Sequence, residues 1–486
     1  MTIQGSPDEV LGLGRPSRAF FSRGGNLPSP RSFTISMILI LTMVSAIYFL
    51  LLGDYAGMEV TASMLYLPDD CGPAAEWLGR IGRHCFNDYR LLMAQAMESD
   101  PWSADMPANY PAAGMLVFWL FGHIGLWFGD RTGLLAYLFC LTVAALTPAM
   151  WAARTSRGRE KIVVFLVCGA AALPVWAVID RGNSVGFAIP IMLAYLVALR
   201  REQWKIVAVM VVLATMVKPQ FVLLGIVLIS HQQWRISLRT GAGVAITNTL
   251  AYLLWPTHFP RTITKSIHEM LNYGSSPSGA LAYTPLNRYN VSFAKGLFLI
   301  PDALSAKKTN GVLPGDYLHD ARTYVSFGIL TMIILTLVLA GRRIPPVMGG
   351  IILLATASLF LPLSARYYLI FSIPIVALIV RDPEATNNIG TFDTIYKKQR
   401  IPVFLLSFAT AITIAQVPLP LPVAVTAFTE DHHLYQLPGA GTLFVESTAI
   451  ITPLLWLATC LSIILSYARN RKDPANKHKD SITTTA

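Results

Sequence analysis

The chain has 486 residues, 54% of them hydrophobic and only 13% charged, with a net charge of +11. Soluble domains carry about 25% charged residues, so this composition excludes a soluble enzyme and indicates a multi-span membrane protein. The basic residues sit in short clusters flanking apolar runs, which is the pattern of membrane orientation; nucleic acid is excluded as a partner.

Residues 1–32 form a basic tail with Arg15, Arg18, Arg23 and Arg31. A bilayer-length apolar run follows, and no small-residue cleavage site precedes Gly53-Asp54, so the reading is an uncleaved first helix with a cytoplasmic tail. The tail 469–486, with Arg469, Arg471, Lys472, Lys477 and Lys479, should lie on the same side, which makes the number of crossings even. The fold expected is an all-α polytopic membrane protein of about twelve transmembrane helices, each long enough for a hydrocarbon core of ~30 Å, in a single domain 33–468. The candidate spans are 33–52, 112–128, 132–152, 162–179, 184–200, 206–230, 240–257, 322–341, 347–361, 367–380, 401–421 and 447–468. With these spans the clusters Arg154-Arg157-Arg159 and Arg200-Arg201-Lys205 fall outside, against the positive-inside rule. Reading 112–152 as one crossing plus a re-entrant piece brings both inside, and 206–230 then becomes two half-length helices meeting at Lys218-Pro219. A proline breaks or kinks a helix, so both readings of 206–230 are physically sound.

The first outer loop, 53–111, is the most acidic stretch of the chain, with Asp54, Asp69, Asp70, Asp88, Glu98, Asp100 and Asp105. Loops of this length are usually functional or disordered. Cys71 and Cys85 both lie in it, on the oxidising side; a disulfide between them would stabilise the loop by about 3 kcal/mol on the chain-entropy model. The alternative is two unpaired thiols. Cys140, Cys168 and Cys460 lie in apolar runs as small core residues.

The string Phe86-Asn87-Asp88-Tyr89-Arg90, followed by Leu91, Leu92, Ala94 and Met97, predicts a short amphipathic surface helix. Asp88 at its start has two readings: a helix cap, or a general base acting on an acceptor hydroxyl beside a lipid-borne donor. Asp54 is a second candidate for the base, while Asp69-Asp70 reads as a solvated turn. The segments 258–321, 362–366 and 422–446 should face the same side as this loop. His258, His268, His432 and His433 show no metal-ligand spacing backed by carboxylates, so no metal site is assigned.

The order of landmarks resembles the integral-membrane glycosyltransferases of the C superfold that use polyprenyl-phosphate sugars, and most closely the polyprenol-phosphate-mannose-dependent mannosyltransferases. The matching features are Asp88-Tyr89 in the first outer loop, Tyr110-Pro111 opening the second helix, and Arg181-Gly182-Asn183-Ser184 opening an apolar helix. Arg200-Arg201, Lys218-Pro219, Asn290-Val291-Ser292 and the aromatic-basic turn Arg366-Tyr367-Tyr368 follow in order. Ala112 stands where the family usually has a second proline, and Arg366 and Tyr367 where it often has His or Trp.

The resemblance implies an inverting transfer of a hexose, with mannose the sugar it points to. The donor would be a polyprenyl-phosphate carrier in the membrane, the acceptor a glycan or glycolipid on the outer face of the cell membrane, with no resident cofactor. Asp88 would be the base. A departing lipid phosphate needs no proton but benefits from positive charge. Lys218 is the first candidate for that charge, since a lysine within a span is a functional hypothesis by default; the alternative is a snorkelling lysine. Arg366 is the second candidate, with an interfacial anchor as its alternative. Arg181 and Asn183 are candidates to bind phosphate or shape the cavity, although an Asn at a helix start is often only a cap. Tyr110, Asn290 and Tyr367 complete the substrate-binding set. The competing readings are a lipid-linked glycan transporter, a surface-polysaccharide polymerase or ligase centred on 258–321 with Arg288 its sensitive residue, and a membrane scaffold.

Overall fold

The computed structural model describes residues 28–56, 86–103, 108, 110–272, 290–308, 319–385, 389–396, 399–424, 426–428, 434–436 and 443–469. The first half runs α1 (Pro30–Ala56), α2 (Asn87–Ala96), α3 (Ala112–Phe128), α4 (Asp130–Ala153), α5 (Arg159–Phe165), α6 (Leu173–Arg181), α7 (Ala188–Arg200), α8 (Trp204–Val217), α9 (Ile226–Ser230) and α10 (Trp234–Ala251). Next come α11 (Arg261–Asn272), α12 (Phe293–Leu297), α13 (Leu299–Lys308), α14 (His319–Ala340), α15 (Pro346–Leu359), α16 (Ser372–Val380), α17 (Asp393–Tyr396), α18 (Arg400–Ala415) and α19 (Thr452–Arg469). Among the described residues, the named strands lie between α18 and α19. There β1 (Pro418–Ala424) pairs antiparallel with β4 (Leu443–Ser447), and β2 (Thr426–Phe428) with β3 (Leu434–Gln436).

Among the described residues, four helices are long and apolar enough to cross a membrane: Pro30–Tyr48, Asp130–Ala153, Asp320–Arg343 and Thr448–Ala468. Arg159–Ala170 and Leu173–Arg181, bent by 49° at their junction, make a fifth if taken as one broken span. The other apolar helices have 10–17 residues, so among the described residues length and composition alone support fewer spans than the twelve the sequence predicts. The shortfall has a local cause in 206–230, where Lys218-Pro219 interrupts one apolar run; proline removes a backbone donor and clashes with the preceding turn. α15 and α16 are apolar and buried all round from Val347 to Leu359 and from Ser372 to Val380, so they form the centre of the bundle.

Side-chain contacts define two ends of the bundle. At the basic end, the Arg31 guanidinium pairs with Glu160, and its Nε donates to the Val380 carbonyl at 2.9 Å. Arg381 donates to the Trp151 carbonyl, Arg200 lies 3.3 Å from Asp382, and Arg201 lies 2.7 Å from Glu384. At the loop end, Trp255 donates to the Ala96 carbonyl (3.1 Å), Lys265 to Ser103 (2.8 Å), and Asn290 to the Pro362 carbonyl (2.7 Å). Residues 86–103 and 110–111 and the segments 255–272, 290–308 and 362–366 therefore share one end; the sequence reading placed the first loop, 258–321 and 362–366 together in this way.

This settles the conflict over the basic clusters. Both clusters sit at the basic end with the start of α1, so 112–153 makes one net traverse. α3 and α4 form a hairpin around Gly129 (φ +96°), packed so closely that a Cβ on Gly133 would lie 2.8 Å from the Phe121 carbonyl oxygen. Segment 204–230 is the pair of half-length helices: α8 rises from the basic end, the chain breaks at Lys218-Pro219, and the return arm ends with the His231 ring 5.2 Å from that of Trp204. With 14 residues, α8 extends only ~21 Å.

The turns on either side of this hairpin share one form. Glu202 (φ +53°) and Gln232 (φ +59°) are left-handed, and each is followed by Gln-Trp, a cation and Ile. In both turns the Gln backbone N–H donates to the carbonyl five residues back, Gln203 to Ala198 and Gln233 to Leu228, at 2.8 Å. This is the Schellman helix stop, built here without glycine. In a cysteine-free background, Arg157→Cys and Arg235→Cys should be labelled by an impermeant thiol reagent from one side of the membrane, and Ser103→Cys and Thr264→Cys from the other. Labelling of Arg157→Cys and Ser103→Cys from the same side would contradict the two-ended arrangement.

Candidate active site

α2 opens on Phe86, a left-handed residue (φ +48°) that makes no side-chain cap. Asp88 lies in the first turn, yet its carboxylate does not cap the helix. Oδ1 pairs with Arg181 Nη2 at 2.5 Å, and Oδ2 accepts from Asn183 Nδ2 at 2.7 Å. Asn183 does two jobs, because its Oδ1 accepts the Val185 N–H at 3.0 Å and so opens the turn 184–187. That bond fixes the orientation of the amide and turns its donor toward Asp88. Between the two partners sits Gly182, with φ +62°. A Cβ there would stand 2.8 Å from the Tyr89 Cβ, so glycine is what allows α2 to lie against this turn.

Burial pushes the Asp88 carboxyl up to about 6, and the Asp180 charge pushes the same way, while the Asn183 hydrogen bond and the Lys218 charge pull it down. A carboxylate tuned to this range is ionised at neutral pH and still basic enough to accept a proton.

Lys218 stands at the helix break with an extended backbone (φ −146°, ψ 125°), as the residue before a proline prefers. It does not snorkel. Its side chain is buried, bonds the Tyr110 hydroxyl, and holds its ammonium 3.5 Å from the Tyr110 ring centre and 5.8 Å from that of Tyr368. Burial, with Tyr368 and Asp88 nearby, holds the Tyr110 phenol protonated well beyond its ordinary range, and Asn183 is also a hydrogen-bond neighbour of Tyr110. Tyr110 therefore bridges the Asp88 cluster and the lysine.

Arg366 is buried at 4% exposure, which rules out a solvated interfacial anchor. It opens a 3-10 turn, 366–371, that packs on α6, the helix ending in Arg181. Asn290 has a different role from the one its type suggests. Its amide donates to the Pro362 carbonyl (2.7 Å), and its oxygen accepts from the backbone N–H groups of Ser292 (2.9 Å) and Ser364 (3.0 Å). Asn290 thus clamps the turn that delivers Arg366.

The structure brings Asp88, Arg181, Asn183, Tyr110 and Lys218 together by direct contacts, and sets Arg366 on a neighbouring turn. Tyr368 faces the lysine, and the Tyr367 ring packs 4.9 Å from that of Tyr368. The Asp54 side chain, Asp69, Asp70, Cys71, Cys85 and Arg288 lie outside the described residues. His258 lies 3.8 Å from Asp100. Asp180, whose charge acts on Asp88, carries no signal in the sequence beyond its place before Arg181 in the matching motif.

Residues 109–301 match the family model of glycosyltransferase family 87. The protein is a glycosyltransferase. Within the matched stretch lie Tyr110, Arg181, Asn183, Lys218 and Asn290; Asp88, Arg366 and Tyr368 lie outside it. No curated protein matches the chain. The match supports a membrane glycosyltransferase of the C superfold, and the transporter and scaffold readings give way to it. Gly182→Ala should destabilise this glycosyltransferase by about 1–2 kcal/mol through the left-handed backbone alone, and by more through the contact with Tyr89. A lowered melting temperature in detergent is the expected result; an unchanged one would mean that α2 does not rest on this turn.

Proposed function

We propose that the enzyme transfers a hexose from a polyprenyl-phosphate carrier to a hydroxyl of a glycan or glycolipid, with Asp88 as general base, on the face of the membrane where the loop end lies. The observation that supports this most is one cluster in which a partly buried carboxylate, two groups that orient it, and a buried ammonium converge from three separated segments of chain. The acceptor hydroxyl gives its proton to Asp88 as its oxygen bonds the anomeric carbon. The bond from that carbon to the phosphate oxygen breaks, and the electron pair leaves with the polyprenyl phosphate. Attack from the side opposite the leaving group inverts the anomeric centre.

Arg181 and Asn183 keep the Asp88 carboxylate aligned. Lys218, with Arg366 on the neighbouring turn, supplies positive charge for the phosphate, so the scheme needs no resident cofactor. Mannose is the hexose suggested by the motif order, and a polytopic domain with about twelve passages, half-length arms included, suits a donor that arrives within the bilayer. We take the loop end as the outer face, because the positive-inside rule puts the basic end in the cytoplasm.

The test uses purified protein and a panel of polyprenyl-phosphate sugars, scoring release of polyprenyl phosphate in the presence of a membrane glycolipid extract. Asp88→Asn should abolish release in folded protein, and near-normal turnover would remove Asp88 from the role. Lys218→Met should lower kcat by roughly 10²-fold, the scale of losing one group that stabilises charge in the transition state. An effect confined to acceptor KM would detach Lys218 from the leaving group.

The pH dependence follows from the direction of the Asp88 shift. Burial raises its pKa, and the base is the ionised form, so kcat/KM should fall as the pH drops through about 6. A profile flat down to pH 4.5 would contradict the assignment.

A further inference from the structure

Tyr137 of α4 is fully buried and lies outside every motif that marked the site. Its hydroxyl donates to the Gly182 carbonyl at 2.7 Å, in the middle of the turn whose flanking side chains hold Asp88. Its ring centre lies 4.4 Å from that of Tyr89, the residue after Asp88 on α2. Phe121 (5.3 Å), Phe187 (5.4 Å) and Phe118 (5.8 Å) enclose the same ring and prevent it from turning. One side chain thus grips both elements that meet at the carboxylate.

We propose that Tyr137 is a positioning residue for the transfer reaction, its hydroxyl fixing the Arg181–Asn183 turn while its ring fixes α2. The proposal rests on Asp88 as the base. The turn needs such a tie because its central residue is glycine, the residue least able to hold a conformation by itself. Rotation of the Gly182 peptide would move the Arg181 and Asn183 backbones on either side of it. The 2.5 Å and 2.7 Å contacts to Asp88 would then loosen together. A misplacement on the ångström scale is enough to lower a rate substantially. The alternative is a buried tyrosine whose hydroxyl simply needs an acceptor.

The two readings differ in what they do to the titration of Asp88. The groups that face it are Arg181 and Asp180 from α6, Lys218 from the helix break, and Tyr110 and Tyr137 among the phenols. Of the neighbours that favour the ionised form, Arg181 and Asn183 depend on the Tyr137 tie. Loosening them raises the pH at which the base becomes active.

Tyr137→Phe keeps the ring and deletes only the hydroxyl. The full-length protein would be assayed with the polyprenyl-phosphate sugar of the panel that wild type turns over fastest and the glycolipid extract, alongside wild type and Asp88→Asn, from pH 4.5 to 8; no release by wild type with any donor would overturn the base assignment and this proposal together. The expected result is a folded variant whose kcat falls roughly 10- to 100-fold. The donor KM should stay within about twofold, and the acid limb of the profile should move to higher pH. An unchanged kcat, a fall in kcat with the acid limb unmoved, or loss of folded protein would make the hydroxyl merely structural and overturn the proposal. Near-normal turnover by Asp88→Asn would instead remove the base assignment, and this proposal with it.

Discussion

The contact on which the rest of the site depends is the one between Asp88 and the Arg181–Asn183 turn. It joins a short helix from the first large loop to a turn between two apolar helices, across 93 and 95 residues of sequence. A partly buried carboxylate is costly unless it is paired and hydrogen-bonded. Here a guanidinium and an amide each take one oxygen, which leaves the remaining lone pairs for chemistry. The glycine between them lets the backbones approach closely enough for both bonds to form at once.

Around that contact the structure arranges charge without exposing it to the hydrocarbon region. Lys218 arrives at the tip of two short arms and is wrapped by phenol rings. Arg366 arrives on a turn that Asn290 holds by its backbone. Each cation is therefore positioned by groups that are themselves fixed, which is how a site keeps its geometry when a flexible lipid substrate binds.

Much of this was legible in the sequence, and for identifiable reasons. Lys218 stands out because a charge within an apolar run is rare, Asp88 because it opens an amphipathic stretch in the acidic loop, and Tyr110, Arg181 and Asn183 because they match the motif order of the family the chain resembles. The half-length helices at Lys218-Pro219 were foreseen as one of two options, since proline punctuates a helix locally. What decided between the options was not local: it took the pairing of Arg31 with Glu160 and of Arg201 with Glu384 to show which ends lie together. The backbone clamp made by Asn290 was not legible, because an asparagine that binds a ligand and one that clamps a backbone look the same in a sequence. Nor does periodicity say which of two adjacent tyrosines lies nearer the lysine. Asp88 was weighed equally as a cap, since nothing near it in sequence reveals partners so distant.

The paired Gln-Trp turns at the base of the Lys218 hairpin have a consequence for how this protein can vary. They act as fixed stops, so the reach and rotation of the lysine are set by the number of residues in the arm between stop and tip. Each residue of an α-helix advances the chain by about 1.5 Å and turns it by about 100°. Exchange of one apolar side chain for another along α8 leaves the ammonium where it is. Insertion or loss of a single residue swings it away from Tyr110 altogether. The hairpin is in effect a ruler, and its length is under tighter constraint than its composition.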